Sequence, residues 1–195
     1  EAVLDFWFGA PGAAADIAAR QSKLWFGKSV ANDQLVTERF AETLVAAGRG
    51  ELDGWNDSPR SRLALIVVLD QFPHHIHRNH GQSFAYDAQS LALALEMIAR
   101  GEDVQIAPIE RVFAYLPLEH AETMAMQDLS VAQYEKLAAE ASPAEQGLFE
   151  GFLDYARKHR DVVARFGRFP HRNELLGRPS TPDEIEFLKQ PGSRF

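Results

Sequence analysis

Apolar positions recur at steps of three and four through most of the 195-residue chain, a period that predicts an all-α fold. In NDQLVTERFAETLVAAGRG the stripe is Val36, Phe40, Leu44 and Ala47, and Gly48 and Gly50 stop it. SPRSRLALIVVLDQF opens with Ser58 as N-cap and Pro59 at the first helical position, then runs apolar on all sides, as a central buried helix does. DAQSLALALEMIARG offers Asp87 as cap, a stripe of Leu91, Leu95 and Ile98, and Gly101 as stop. SVAQYEKLAAEA reads as a short amphipathic helix. SPAEQGLFEGFLDYARKHRDVVARFG starts with the capping-box pair Ser142 and Glu145 and stops at Gly167; TPDEIEFLKQ repeats the device with Thr181 and Glu184. Only DVQIAP (103–108) alternates like a strand, and it is too short to build a sheet. No linker or low-complexity tract divides the chain, so residues 1–195 read as one domain of antiparallel helix pairs joined by short loops.

Composition narrows the function classes. The net charge of −8 disfavours nucleic acid and anionic membranes as partners, because both require a cationic surface. Without cysteine there are no disulfides, thiolate nucleophiles or Cys-type zinc sites. The longest apolar run, LALIVVL, falls far short of the ~20 residues that span a bilayer. EAVLDFWFG lacks the basic region and cleavage site of a signal peptide, so a cytoplasmic location is expected. Charge is uneven, however: residues 157–178 carry a net +5, leaving −13 elsewhere. That segment is either a local anion site or a solvated face balancing acidic neighbours.

Three polar segments interrupt the apolar pattern. In DQFPHHIHRNHG, Asp70 follows the buried run and Pro73 is expected to break the helix, leaving His74, His75, His77 and His80 in a loop or a new short helix, an exposed loop being the default. The i,i+3 spacings could seat two metal ligands, but there is no HExxH and no third ligand, so no metal is expected. In YLPLEHAE, Pro117 is expected to open a helix with Glu119 and His120 in its first turn. There Glu119 serves as a cap or, with His120, as an acid–base pair. In RFGRFPHRNELLGRPSTPDE, Arg165 lies near a helix C-terminus, and Arg168, His171, Arg172, Asn173 and Arg178 follow in a proline-stiffened loop. Guanidinium forks bind carboxylates and phosphates, which makes this the best anion-binding candidate. His159 adds a fourth signal. It falls inside the stripe Phe149, Phe152, Ala156, Val163, Phe166, where an imidazole needs either a backbone carbonyl or a carboxylate such as Glu119 or Asp70.

LDQFPxxxxR, SFAYDAQSLAL, YLPLEHAE and the long RFGRFPHRNELLGRPSTPDE motif, together with VLDFWFG and LWFGKS, resemble the bacterial family known as domain of unknown function 924. The resemblance spans essentially the whole chain. It implies an all-helical, tetratricopeptide-like right-handed superhelix and no established reaction. The family usually has Arg-Asn where this chain has His74-His75, which leaves Asp70 and Arg78 as the motif-bearing residues of that segment.

These readings lead to a polar pocket for a small anionic molecule, walled by Asp70, Arg78, Glu119, His120, His159, Arg165, Arg168, His171, Arg172 and Asn173. No cofactor is implied. The residue types suit acid–base work such as hydrolysis, but no nucleophile elbow, phosphate-cradling loop or dinucleotide fingerprint is present. The rival is a tetratricopeptide-like scaffold holding a peptide or protein partner in a concave groove. Convergence of the motif residues in a deep cluster favours the first, and an open groove favours the second. The sequence leaves the oligomeric state open.

Overall fold

The computed structural model describes residues 1–194, and every regular element among them is helical. The chain runs through α1 (Ala2–Phe8), α2 (Ala14–Trp25), α3 (Val30–Gly48), α4 (Pro59–Ile66), α5 (Phe72–Ile76), α6 (Asp87–Ala99), α7 (Pro108–His120), α8 (Met124–Glu140), α9 (Gln146–Phe166) and α10 (Pro182–Phe187). DVQIAP forms no strand: Asp103–Gln105 is a 3₁₀ turn ahead of α7. No helix among the described residues is long and apolar enough to cross a membrane.

Local chemistry sets many of the ends. Ser29 and Ser58 accept the backbone N–H three residues on, and Pro59 follows Ser58. Thr181 and Glu184 form the expected capping box. Gly167 ends α9 with φ of 70°, a left-handed value that glycine adopts without steric cost. Two expected caps act differently. Ser142 Oγ donates to Glu145 Oε2 within the turn before α9, while Glu145 Oε1 accepts the Ala14 N–H at the start of α2. Asp87 is the first residue of α6 and turns its carboxylate to another element.

Two prolines defy the expected breaks. α4 continues into α5 through a π turn, Val67–Gln71, in which the Phe72 N–H reaches back five residues to the Val67 carbonyl. The extra residue accommodates Pro73, which cannot donate, and Asp70 lies within this turn. His74 and His75 thus lie in a short helix, the alternative to the exposed loop. Pro117 lies inside α7, which starts nine residues earlier at Pro108, where Glu110 accepts the Ala107 N–H. Pro117 forfeits one helical hydrogen bond, and burial of residues 109–119 offsets that loss. Glu119 and His120 therefore occupy the last turn of α7, not the first turn of a new helix.

The core joins α1–α4, α6–α9 and the π turn around Trp7, Trp25, Phe72 and Phe113, with ring centroids 4.7–6.5 Å apart in the Trp25–Phe113, Trp7–Phe72 and Trp7–Trp25 pairs. Burying each such side chain contributes roughly 1.5–3 kcal/mol. α4 and its continuation are buried almost throughout, as the all-apolar run anticipates. On α6 the buried face centres on Ser90, Ala94 and Met97, one residue from the predicted stripe. Leu91, Leu95 and Ile98 flank it, half-buried. α7 packs on α8 and α8 on α9, and the segment after α9 folds back towards the start of α6.

Candidate functional site

Four segments bring ionisable side chains together: the π turn with α5 (Asp70, His74), the start of α6 (Asp87), the end of α7 (Glu119, His120), and α9 with the following 3₁₀ turn (His159, His171, Arg172). His74 and His120 have ring centroids 5.6 Å apart, and His120 and His159 are at 6.4 Å. His159 stands edge-on to Phe169 at 5.5 Å, and Phe169 is 5.8 Å from His171.

Asp70 is completely buried and fully served. His120 Nδ1 lies 3.0 Å from Oδ1, Ser90 Oγ donates to the same oxygen, and Gln71 Nε2 donates to Oδ2 at 2.6 Å. Burial opposes its charge, yet the His120 charge and hydrogen bond outweigh burial and hold the carboxyl below its usual range. Reciprocally, burial lowers His120, and Asp70 more than reverses this. Both shifts favour the aspartate–imidazolium form of the pair.

The neighbouring pair has the opposite protonation. Glu119 is 4% exposed, and burial lifts its carboxyl to about 8, so it is protonated at neutral pH. Its Oε1 lies 3.1 Å from His159 Nδ1, which is also 2.9 Å from the Tyr155 carbonyl. A carbonyl only accepts, so Nδ1 carries the hydrogen and the lone pair of neutral His159 sits on Nε2. Burial pushes His159 down to about 3. His74 and His171 are also pushed down to about 3, chiefly by burial. Two adjacent residues of α7 therefore serve two carboxylate–imidazole pairs, one charged and one neutral.

Arg172 lies at the rim of these pairs. Its guanidinium carbon sits 4.5 Å from the centre of the Phe84 ring and 4.8 Å from that of Phe169, two aromatic faces that fix its position. Nη1 donates to Asp87 Oδ2 at 3.0 Å. Burial lifts Asp87 to about 6, with Arg172 holding it from rising further. Three buried atoms here have no hydrogen-bond partner among the described residues: Arg172 Nε, Asp87 Oδ1 and His74 Nε2. The Arg172 segment is pinned from both sides. Glu122 takes the Phe169 N–H and both Nη groups of Arg178. Gly81 passes so close to the Leu175 carbonyl that a Cβ there would meet it at 2.6 Å.

Of the residues expected to wall a pocket, Asp70, Glu119, His120, His159, His171 and Arg172 come together. Arg78 does not: it forks onto Asp33 of α3 at 2.5 and 2.6 Å, and Asp33 also meets His75. Arg165 lies over Phe166 at the surface, and Arg168 forks onto Glu184. Asn173 is buried but works within its own loop, donating to Ser180 and accepting from Arg178. His74 and Asp87, expected only as an exposed histidine and a helix cap, are members of the cluster. Because the helix runs through Pro73, His74 reaches the cluster, half-buried with its Nε2 inaccessible to water; His75 is buried and His80 exposed. Among the described residues no three His, Asp or Glu side chains are placed to hold a metal ion. Two open depressions lie elsewhere. One of about 420 Å³ is bordered by Asp33, Thr37, His75 and Arg78, and one of about 390 Å³ by Arg165, Arg168 and Glu184.

The model of a bacterial protein family of unknown function, DUF924, matches residues 3–192. The chain belongs to the DUF924 family. A solved structure described as a protein of unknown function, ATU0120 from Agrobacterium tumefaciens, is similar over 90% of this chain and 96% of its own, at 39% identity and a TM-score of 0.77. Among curated proteins none matches the chain. DUF924 thus supplies this protein with a family and a shared helical fold, and the chemistry rests on the side chains themselves.

Proposed function

We propose that this DUF924 protein binds a small anionic molecule at the buried cluster and acts on it by acid–base chemistry, hydrolysis being the reaction class that best suits the groups. The observation that carries the reading is the incomplete satisfaction of Arg172 and Asp87. Buried polar groups in a folded protein are almost always paired, so a fixed guanidinium with a spare Nε–H calls for an acceptor from outside. Beside it, His120, whose protonated form Asp70 favours, is a proton donor, and Asp87, lifted to about 6 and so close to neutrality, is a proton acceptor, the two roles that hydrolysis requires. A cytoplasmic location belongs to the same proposal, supported by the acidic, cysteine-free composition.

The test is ligand-linked stability. Phosphate, sulfate and small carboxylates, added at constant ionic strength, should raise the melting temperature of the natural protein, and Arg172→Gln should lose that increment. An equal response in both proteins would mean that the salts act generally on burial, and the reading would fail.

A second reading rests on the open depression between α3 and α5, which would take a peptide or protein partner along a tetratricopeptide-like stack. Consecutive packing of α7, α8 and α9 supports that stacking. The depression's own Asp33, His75 and Arg78 satisfy one another, so its claim on a ligand is the weaker one.

A further inference from the structure

Arg172 Nε, Asp87 Oδ1 and His74 Nε2, without hydrogen-bond partners among the described residues, form a chemical inventory. Arg172 Nε is a donor, Asp87 Oδ1 an acceptor, and His74 Nε2 is either, according to tautomer. Two of these side chains, Arg172 and His74, lie against one aromatic ring. Phe84 carries the Arg172 guanidinium at 4.5 Å and meets the His74 ring edge-on at 5.6 Å, and Arg172 in turn holds Asp87. A ligand that completes this set brings an anionic acceptor for the guanidinium edge and a hydroxyl that donates to Asp87.

Charge and size narrow the anion. The electrostatic surroundings of Arg172 include three carboxylates, Asp87, Glu122 and Asp70. A phosphate dianion would add two negative charges beside them, and a carboxylate adds one. With Nη1 committed to Asp87, the planar Nε edge of the guanidinium matches the planar face of a carboxylate. The imidazole rings stand close together, with centroids 5.6 and 6.4 Å apart, which favours a guest of few heavy atoms.

Building on the anion-binding reading above, we propose that the ligand is a small hydroxycarboxylate, its carboxylate on the Nε edge of Arg172 and its hydroxyl donating to Asp87 Oδ1. Glycolate and acetate are the matched probes, because they differ only in that hydroxyl, and phosphate is the comparator. Titrations of the natural protein, followed by the imidazole and guanidinium NMR signals, should give saturable glycolate binding at least about tenfold tighter than acetate, since a site built to hydrogen-bond a hydroxyl rejects the analogue lacking it. Phosphate should be weaker than either. Asp87→Ala should bring glycolate down to the level of acetate, and Arg172→Lys, which keeps the charge but not the fork, should weaken both. Equal binding of glycolate and acetate overturns the role of the hydroxyl. Phosphate binding at Arg172 without carboxylate binding overturns the hydroxycarboxylate and leaves the anion site standing. No shift with any of the three overturns both. These ligand comparisons need no variant, so a poorly folding substitution does not blunt them.

Discussion

Neighbouring residues of α5 serve two sets of the same side-chain types with different outcomes. His75, itself buried, joins the half-buried Asp33 and Arg78 in a set that borders the open surface depression; Arg78 donates twice to Asp33, and the arginine and imidazole hold the Asp33 carboxyl below its usual range against partial burial. His74 belongs to the interior set, where Arg172 meets Asp87 through one nitrogen and burial drives the Asp87 carboxyl up to about 6. The surface set is saturated and ties α3 to α5. The interior set retains unused donors and acceptors in a place where leaving them unused typically costs ~1–3 kcal/mol each. Saturation, rather than residue type, separates a structural clamp from a candidate binding site.

The sharpest way to break this contrast is to remove the carboxylate on which the interior depends. Asp70→Ala leaves the half-buried His120 imidazole without its counter-charge; breaking a fully buried pair typically costs ~3–5 kcal/mol, and a loss towards the lower end of that range is expected, readable as a lower urea midpoint. A loss below about 1 kcal/mol would show that the cluster tolerates solvent and is no different from the surface set.

The pH dependence comes next. His74, His159 and His171 have folded values near 3, below the ordinary 6.5, so the stability they contribute is present above pH 6.5 and is lost as pH falls towards 3. Glu119 works in the opposite sense. Its folded value of about 8 exceeds the ordinary 4.5, so its contribution is full below pH 4.5 and is lost as pH rises through 8. Glu119→Gln keeps a neutral side chain. Relative to that variant, the natural protein should lose roughly a few kcal/mol between pH 4.5 and 8. Melting curves of the two proteins that stay parallel over this range would place Glu119 in water and remove the neutral pair.

Asp33→Ala should have a smaller effect, about 1–2 kcal/mol, because it removes charged hydrogen bonds from a site that water reaches. It should leave the melting-temperature response to anions intact; loss of that response would move the binding site to the α3–α5 depression. The smallest change in anion response belongs to Arg168→Ala. Its guanidinium forks onto the buried Glu184 carboxylate, so the variant should lose some stability while its melting-temperature response to anions stays unchanged. An abolished anion response in this variant would shift the anion site to the loop after α9.

The helices were legible because their cause is local: apolar period, serine and threonine caps, and glycine stops each act within a few residues. The membership of Asp70, His120, His159 and Arg172 was legible too, since each is a polar residue set in or beside an apolar pattern. The positions of His74 and Glu119 were not. Both depend on a proline being absorbed, at Pro73 by the π turn and at Pro117 by the burial around it, and that outcome is decided by packing between distant segments. Arg78, Arg165 and Arg168 looked equivalent to Arg172 in sequence. Their fates are set by Asp33, the surface phenylalanines and Glu184, whose proximity no local pattern encodes.

The π turn at Val67–Gln71 also acts as a phase shifter. Each residue of an α-helix advances ~100° about the axis, so one additional residue in the turn rotates everything after it by that angle relative to everything before. Upstream, Leu63 and Ile66 keep their orientation towards the aromatic core; downstream, His74 and His75 are turned together, one towards His120 and the other towards Asp33. Leu63 and His74, eleven residues apart and so within about 20° of one another on an uninterrupted helix, thereby face different ways.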